Sequence, residues 1–319
     1  MRAEELRGSV EAMRAAVRRL AEERRDVWVG PFPEMARALA EVARVDLALA
    51  RLLEGHVDAL RILAQAGAIP RPGVYGVWAS RSAGTGVRAE VQGERWRLTG
   101  ESRFSSGIDV IDRALVPGWV DERTHLLFDL DAGAVEPDRD SWHTAAMDAS
   151  RSFTVRVDLS ARPDDVVGPP GFYLDRRGFP IGGLEVAAVW AGGAQSVLEQ
   201  VVAGLRRFEP TGHQLRRVGV MEQAVRQAHQ AVEATAARLP DLEGAALVRE
   251  TAVARTAVVQ AAEQVLDEAT RVVGPAGLSG NARLARTVAD LTIYLRQHHL
   301  DATLEQLGRD ALADREVIG

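Results

Sequence analysis

Residues 76–116 read GVWASRSAGTGVRAEVQGERWRLTGESRFSSGIDVIDRALV. The runs VWAS, VRAEV, RWRLT and RALV are short, β-branched or aromatic, and divided by turn residues, which predicts strands and not helix. Gln92-Gly93-Glu94 stands between two of them as a hairpin turn signal. The pattern continues through THLLFDL (124–130) and SFTVRVDL (152–159). Together these runs predict an antiparallel, barrel-like β-domain over 70–180, a normal size for one folding unit.

On both sides the hydrophobic period changes from two to three and four. In residues 1–69, a shortened N-terminal helical domain, Leu6, Val10, Met13, Val17 and Leu20 form one apolar helical stripe. Pro31 and Pro33 open a second helix with the stripe Leu49, Leu52, His56, Leu60, Leu63, ending near Gly67. His56 on that stripe reads as a core histidine with its hydrogen bond satisfied. Over 181–319 the period predicts alanine-rich helices at 183–207, 214–238, 245–273 and 281–297, the last with Leu284, Val288, Leu291 and Leu295 on its buried side. N-terminal helices, a middle β-domain and a C-terminal antiparallel helical bundle make an α+β fold.

Composition narrows the function classes. The 319 residues carry 39 basic and 45 acidic side chains, a net charge of −6 spread along the chain. That balance argues against nucleic acid or an anionic membrane as the main partner. The absence of cysteine removes thiolate nucleophiles and sulfur-ligated metals and fits a reducing compartment. No stretch reads as a membrane span of roughly 20 apolar residues, so the expectation is a cytoplasmic protein. The broad alanine-rich helix faces predict a homodimer or homotetramer.

The order of elements and several motifs resemble the acyl-CoA dehydrogenase family over about residues 35–315. LTGESRFSS (98–106) is similar, without a gap, to the family's Leu-Asn-Gly-x-Lys-x-Trp-Ile-Thr motif, and ASRSAGTG (79–86) resembles more loosely the loop before it. AAMDASRSFTVRVDLSARPDDVVGPPG (145–171) resembles the Gly-Met-Arg-x-Ser segment and the strand after it. GGAQSVLEQVVAGLRRF (192–208) is similar to the first C-terminal helix, and VVGPAGLSGNARLARTVADLTIYLRQHH (272–299) to the Gly-Gly-x-Gly turn and closing helix.

In that family FAD lies between the β-domain and the C-terminal bundle. The resemblance therefore implies that Phe104, Ser105 and Ser106 line the flavin ring, with Phe104 stacked on it and Ser106 at the N5 edge. It implies Ser82 and Thr85 near the pyrimidine side, and Gly274 and Gly277 near the adenosine diphosphate. The chain departs from the pattern where phosphates are held. Phe208 stands in place of a family arginine, Thr211 of a phenylalanine, Gly219 of a glutamine, and Pro275 of a glycine. Each loss of a cation or amide donor removes a contact to diphosphate, with Arg216, Arg217 and Arg271 as candidate replacements.

Counted from Asp290, the family's catalytic glutamate falls on His298, and the alternative glutamate position falls on Gly182, with Glu185 three residues later. An imidazole titrates near neutral pH and is the candidate base, His298. The other reading makes His298 and His299 polar residues closing a helix end. A metal site is not expected, because adjacent histidines on a helix point apart and Asp301 alone completes no ligand set.

Three functions follow from the resemblance. The first is an acyl-CoA dehydrogenase-like flavoprotein oxidoreductase of fatty acid metabolism, acting on an acyl thioester with activity reduced by the missing glutamate. The second is a flavin-dependent monooxygenase of the same fold. The third is a non-catalytic oligomeric scaffold derived from it.

Overall fold

The computed structural model describes residues 6–316. They form two compact units that interleave in sequence, one running up to residue 31 and over 48–179, the other over 32–47 and from residue 180 onward.

The first unit opens with α1 (Val10–Glu23), whose N-cap Ser9 side chain accepts from the Ala12 N–H at 3.0 Å. Its stripe buries Met13, Ala16 and Val17, and Leu6 is buried just before it. The short α2 (Arg25–Val29) buries Trp28, whose indole N–H donates to the Leu20 carbonyl at 2.8 Å. The second predicted helix is two helices, α3 (Phe32–Val45) and α4 (Leu47–Gln65). Asp46 between them is a residue type that favours helix starts. The division has a consequence: α3 packs in the second unit and nearly all of α4 in the first.

The β-domain is an eight-stranded sheet: β1 (Tyr75–Val77), β2 (Gly86–Gln92), β3 (Arg95–Ser105), β4 (Arg113–Trp119), β5 (His125–Asp131), β6 (Glu136–Asp138), β7 (Phe153–Ala161) and β8 (Val166–Val167). The order is β6-β7-β3-β2-β4-β5-β8, with β1 also on β4. Most pairs are antiparallel, as the sequence pattern predicts, but β1 and β2 each pair with β4 in parallel. Gln92 pairs with Arg95 across a two-residue loop that begins with Gly93 at φ +63°, a conformation glycine adopts without steric cost. Gly100, in the middle of β3, has a structural reason too: φ is +136° and an added Cβ would lie 2.2 Å from the Gly86 carbonyl oxygen. Helix α4 covers the sheet, with Ala59, Ile62 and Leu63 in one core with Tyr75, Leu115, Leu127, Val167 and Tyr173. Tyr173 lies on the short α5 (Phe172–Asp175).

The second unit is helical. Besides α3 it holds nearly all of α6 (Gly178–Leu205), together with α7 (Gly212–Arg238), α8 (Gly244–Gly280), α9 (Ala282–Leu295) and α10 (Leu300–Glu316). Helices α7 and α8 pack against each other, bury small residues such as Ala224, Ala228, Ala254 and Ala261, and are joined by a short turn at Leu239–Asp241. Gly192 lets α6 touch α3, since a Cβ there would sit 2.2 Å from the Ala40 carbonyl oxygen. The sequence reading passed over one apolar stretch: α6 is the one helix among the described residues long and apolar enough to cross a membrane. Its apolar window is 78% buried within the protein, so core packing accounts for its hydropathy.

Candidate functional site

The motif LTGESRFSS ends β3 in the first unit. The β3–β7 register, regular up to Ser102, shifts before it resumes at Ser105 opposite Phe153. This irregularity expels Phe104: its φ is +57° and its ring is 49% exposed, unusual for a large apolar residue inside a strand. The ring stands edge-on to Trp142 at 6.4 Å, with the Arg103 guanidinium 5.1 Å from its centroid. Phe104 is thus a flat aromatic face held open by backbone strain.

The two serines that follow have different surroundings. Ser105 is fully buried and its hydroxyl donates to the Ser102 carbonyl at 3.1 Å, so its backbone is what it has left to offer a ligand. Ser106 is buried but not completely, at 8% exposure, with its hydroxyl 2.8 Å from that of Ser152. The Ser152 hydroxyl in turn lies 2.7 Å from that of Ser150, which donates to the Met147 carbonyl at 2.6 Å. The Ser106 carbonyl accepts from the Trp78 indole at 2.9 Å, and the Ser150 carbonyl accepts from the Gly107 N–H at 2.8 Å. Ser150 and Ser152 are absent from the sequence-derived candidates, although both stand in the quoted segment DASRSF, two apart. Among the described residues, the non-glycine positions with positive φ are Phe104, Met147 and Arg151. All three belong to this serine cluster or adjoin it, which is where strain at functional sites concentrates.

Ser82 and Thr85 lie in one turn. The Thr85 hydroxyl donates to the Ser82 carbonyl at 2.7 Å and the Ser82 hydroxyl accepts from Ser80 at 3.2 Å. Beside them the Arg81 guanidinium stacks 4.0 Å from the Trp119 ring centroid.

The remaining candidates belong to the second unit. His298 is 8% exposed, its Nε2 3.2 Å from the Thr256 hydroxyl and its ring 6.3 Å from that of Trp190. Burial, then the positive charge of Arg255, then His299, push its pKa down to about 4, so the imidazole is neutral at pH 7. His298 is therefore no solvated cap, whereas His299 beside it is exposed. The Arg255 guanidinium stands 5.1 Å from the Trp190 ring centroid, and a Cβ on Gly183 would lie 3.4 Å from one of its nitrogens. Trp190 is fully buried with its indole N–H unpartnered among the described residues. Positions 182 and 298, where the resemblance implies a catalytic carboxylate, hold Gly and His, and the one Arg255 lies near Gly183 and acts on His298. Arg255, Thr256 and Trp190 carry no sequence signal, because only helix packing brings them to His298. Glu185 is buried in α6.

Gly274 breaks α8 at φ +60° and ψ −171°, a conformation almost confined to glycine, and Pro275 restarts the helix. The predicted end of that helix at 273 matches the break. An added Cβ at Gly277 would meet Val273 at 2.5 Å. Where phosphate contacts are expected, Phe208 is 57% exposed and Thr211 caps α7 through Gln214. The arginines that would compensate are engaged: Arg217 and Arg216 with Glu268, and Arg271 with Asp267 at 2.9 Å. The residues that the resemblance assigns to the ring offer an aromatic face that suits a flavin, while the arginines considered for the diphosphate are each paired with a carboxylate. A separate groove of about 500 Å³ on α6 and α7, lined by Gln195, Glu199, Arg226 and His229 among others, contains none of the candidates.

Residues 170–296 match the family model described as acyl-CoA dehydrogenase, C-terminal domain, which ends just short of His298. No curated protein matches the sequence. Solved structures match almost the whole chain at low identity. Methanesulfinate monooxygenase from Pseudomonas fluorescens is 16% identical over 96% of this chain and 97% of that one, with a TM-score of 0.78. Butyryl-CoA dehydrogenase from Megasphaera elsdenii is 17% identical over 95% and 90%, with a TM-score of 0.78. Dibenzothiophene monooxygenase from Paenibacillus sp. A11-2 is 18% identical over 96% and 90%, with a TM-score of 0.74.

Proposed function

Because this chain has the acyl-CoA dehydrogenase fold and a C-terminal domain of that family, we propose that it is a flavin-dependent monooxygenase acting on a small organic molecule. Fold alone does not choose between oxygenase and dehydrogenase, since it is equally similar to structures of both kinds. The observation that carries the reading is the state of His298.

Taking the α-proton of an acyl thioester neutralises a glutamate, but it would turn His298 into a cation. Burial and Arg255 both oppose that charge. Gly182, at the alternative position, has no side chain to serve instead. A neutral imidazole does something else well: it donates one hydrogen bond to an oxygen while accepting another. Reduced flavin would supply the electrons that activate dioxygen. In the first unit Phe104 would stack on the ring and Ser106 would meet its N5 edge; in the second, His298 would offer oxygen a hydrogen-bond donor.

The test is anaerobic mixing of flavin-loaded protein with butyryl-CoA, followed by oxygenation of the reduced flavin complex. The expected result is no bleaching by the thioester, and slower peroxide release from the wild-type complex than from His298→Ala. Bleaching by butyryl-CoA would overturn the reading in favour of the dehydrogenase. Protein that takes up no flavin in either redox state would leave the scaffold.

A further inference from the structure

Three serine hydroxyls in a row, Ser106, Ser152 and Ser150, end on a carbonyl, and counting their protons settles which way each one points. A serine hydroxyl has one hydrogen and two lone pairs. The Met147 carbonyl can only accept, so the Ser150 proton is committed to it. The 2.7 Å contact between Ser150 and Ser152 must then use the Ser152 proton. The 2.8 Å contact between Ser152 and Ser106 must in turn use the Ser106 proton. The chain of donors runs Ser106 to Ser152 to Ser150 to the Met147 carbonyl, with no proton left over. Away from Ser152, the Ser106 hydroxyl therefore offers lone pairs and no hydrogen.

The arrangement is built, not incidental. Ser150 is fully buried and Ser152 is 8% exposed, so neither hydroxyl has water as an easy substitute. The backbone is bound on both sides, by Trp78 on the Ser106 carbonyl and by Gly107 on the Ser150 carbonyl. Met147 and Arg151 flank the turn Asp148–Ser150 in left-handed conformations that cost energy in any non-glycine residue. Arg151 is held there by Asp109 at 2.7 Å, which also pairs with Arg139 at 2.7 Å.

We infer that Ser150 and Ser152 are positioning residues that fix Ser106 as a hydrogen-bond acceptor, so that the site selects reduced over oxidised flavin. The inference rests on the flavin reading above. In the oxidised ring N5 is a lone pair and needs a donor. In the reduced ring N5 carries a hydrogen and needs an acceptor. A Ser106 whose proton is held inward satisfies the second and faces the first lone pair to lone pair.

The experiment is anaerobic titration of the whole protein with FMN, oxidised and chemically reduced, comparing the two dissociation constants. Wild type is expected to bind reduced FMN about tenfold more tightly, the size one hydrogen bond supplies, which equals a rise of about 30 mV in the bound two-electron potential. Ser152→Ala frees the Ser106 proton to turn outward and should bring the ratio close to one, while Ser152→Thr should keep it. If Ser152→Ala does not fold, Ser150→Ala is measured in the same way, because it too lets the chain reverse. A merely structural role would weaken both redox forms alike and leave the ratio where it was. That outcome, or a wild type that holds oxidised FMN as tightly as reduced, overturns the inference and leaves the proposed function standing. Failure to bind either form overturns both.

Discussion

Two adjacent histidines, 298 and 299, differ only in the direction in which the chain turns them. His298 is buried against Thr256 and Trp190, and His299 is exposed. His298→Ala should therefore change how reduced flavin reacts with oxygen, releasing peroxide faster with flavin content unchanged, while His299→Ala should do little in the same peroxide assay. His56 provides a second test at this scale. It is 5% exposed, its Nδ1 accepts the Tyr75 N–H at 3.1 Å, and burial pushes its pKa down to about 4 against a weaker pull from Asp112. A group whose folded pKa is depressed below its unfolded value of about 6.5 binds its proton more readily when unfolded. As pH falls from about 6.5 towards 4 the His56 share of stability is lost, on the order of 3 kcal/mol. Asp58 works in the opposite direction, since burial raises its carboxyl to about 6. Urea denaturation of wild type and His56→Gln at pH 7 and pH 4.5 isolates the histidine: the gap between the two proteins should shrink at the lower pH.

At the scale of the element, the end of β3 trades stability for an exposed ring. Phe104 sits at φ +57°, where a side chain costs about 1 to 2 kcal/mol and glycine costs nothing. Half-exposed, the ring returns only part of its burial energy. Phe104→Gly should then raise the stability of the protein by up to about 1 kcal/mol, read by urea denaturation, while weakening flavin binding. A loss of stability would mean that packing against Trp142 outweighs the strain. The crossing of α3 and α6 gives the opposite case. Gly192→Ala forces a methyl to within 2.2 Å of the Ala40 carbonyl oxygen, and the helices must separate. Overpacking of this kind should cost about 1 to 3 kcal/mol, checked by the denaturant midpoint.

For the whole molecule, the uneven fit to flavin has a measurable consequence. On the proposed reading the ring would meet the aromatic face of Phe104 and the ordered hydroxyl of Ser106. The arginines considered for the diphosphate are engaged, Arg216 and Arg217 with Glu268 and Arg271 with Asp267. The adenosine monophosphate by which FAD exceeds FMN should therefore add little, and FMN and FAD should bind within about threefold of each other, well under one factor-of-ten step of 1.4 kcal/mol. A much tighter hold on FAD would show that cations recruited elsewhere carry the diphosphate. The homo-oligomer expected from the alanine-rich faces is read by sedimentation of the same samples.

The change of hydrophobic period near residues 70 and 180 was enough to read helices, sheet and helices in order, because side-chain spacing is local and survives without tertiary contacts. The run RWRLT likewise marked the first half of β3, and Gly274-Pro275 the break in α8, the latter because glycine and proline state their backbone demands in their own chemistry. His56 was legible as a core residue from its place on an apolar stripe. What the sequence could not state were relations between distant residues. The split at Asp46 depends on which unit each half packs into, and the apolar length of α6 is explained only by its burial. The neutrality of His298 needs Arg255 and Thr256 brought to it from α8 and Trp190 from α6. The direction of the Ser106 hydroxyl depends on two serines more than forty residues away and on a carbonyl beyond them. Period and motif are properties of the chain, whereas burial, pKa and proton direction are set by neighbours, and only the folded protein supplies those.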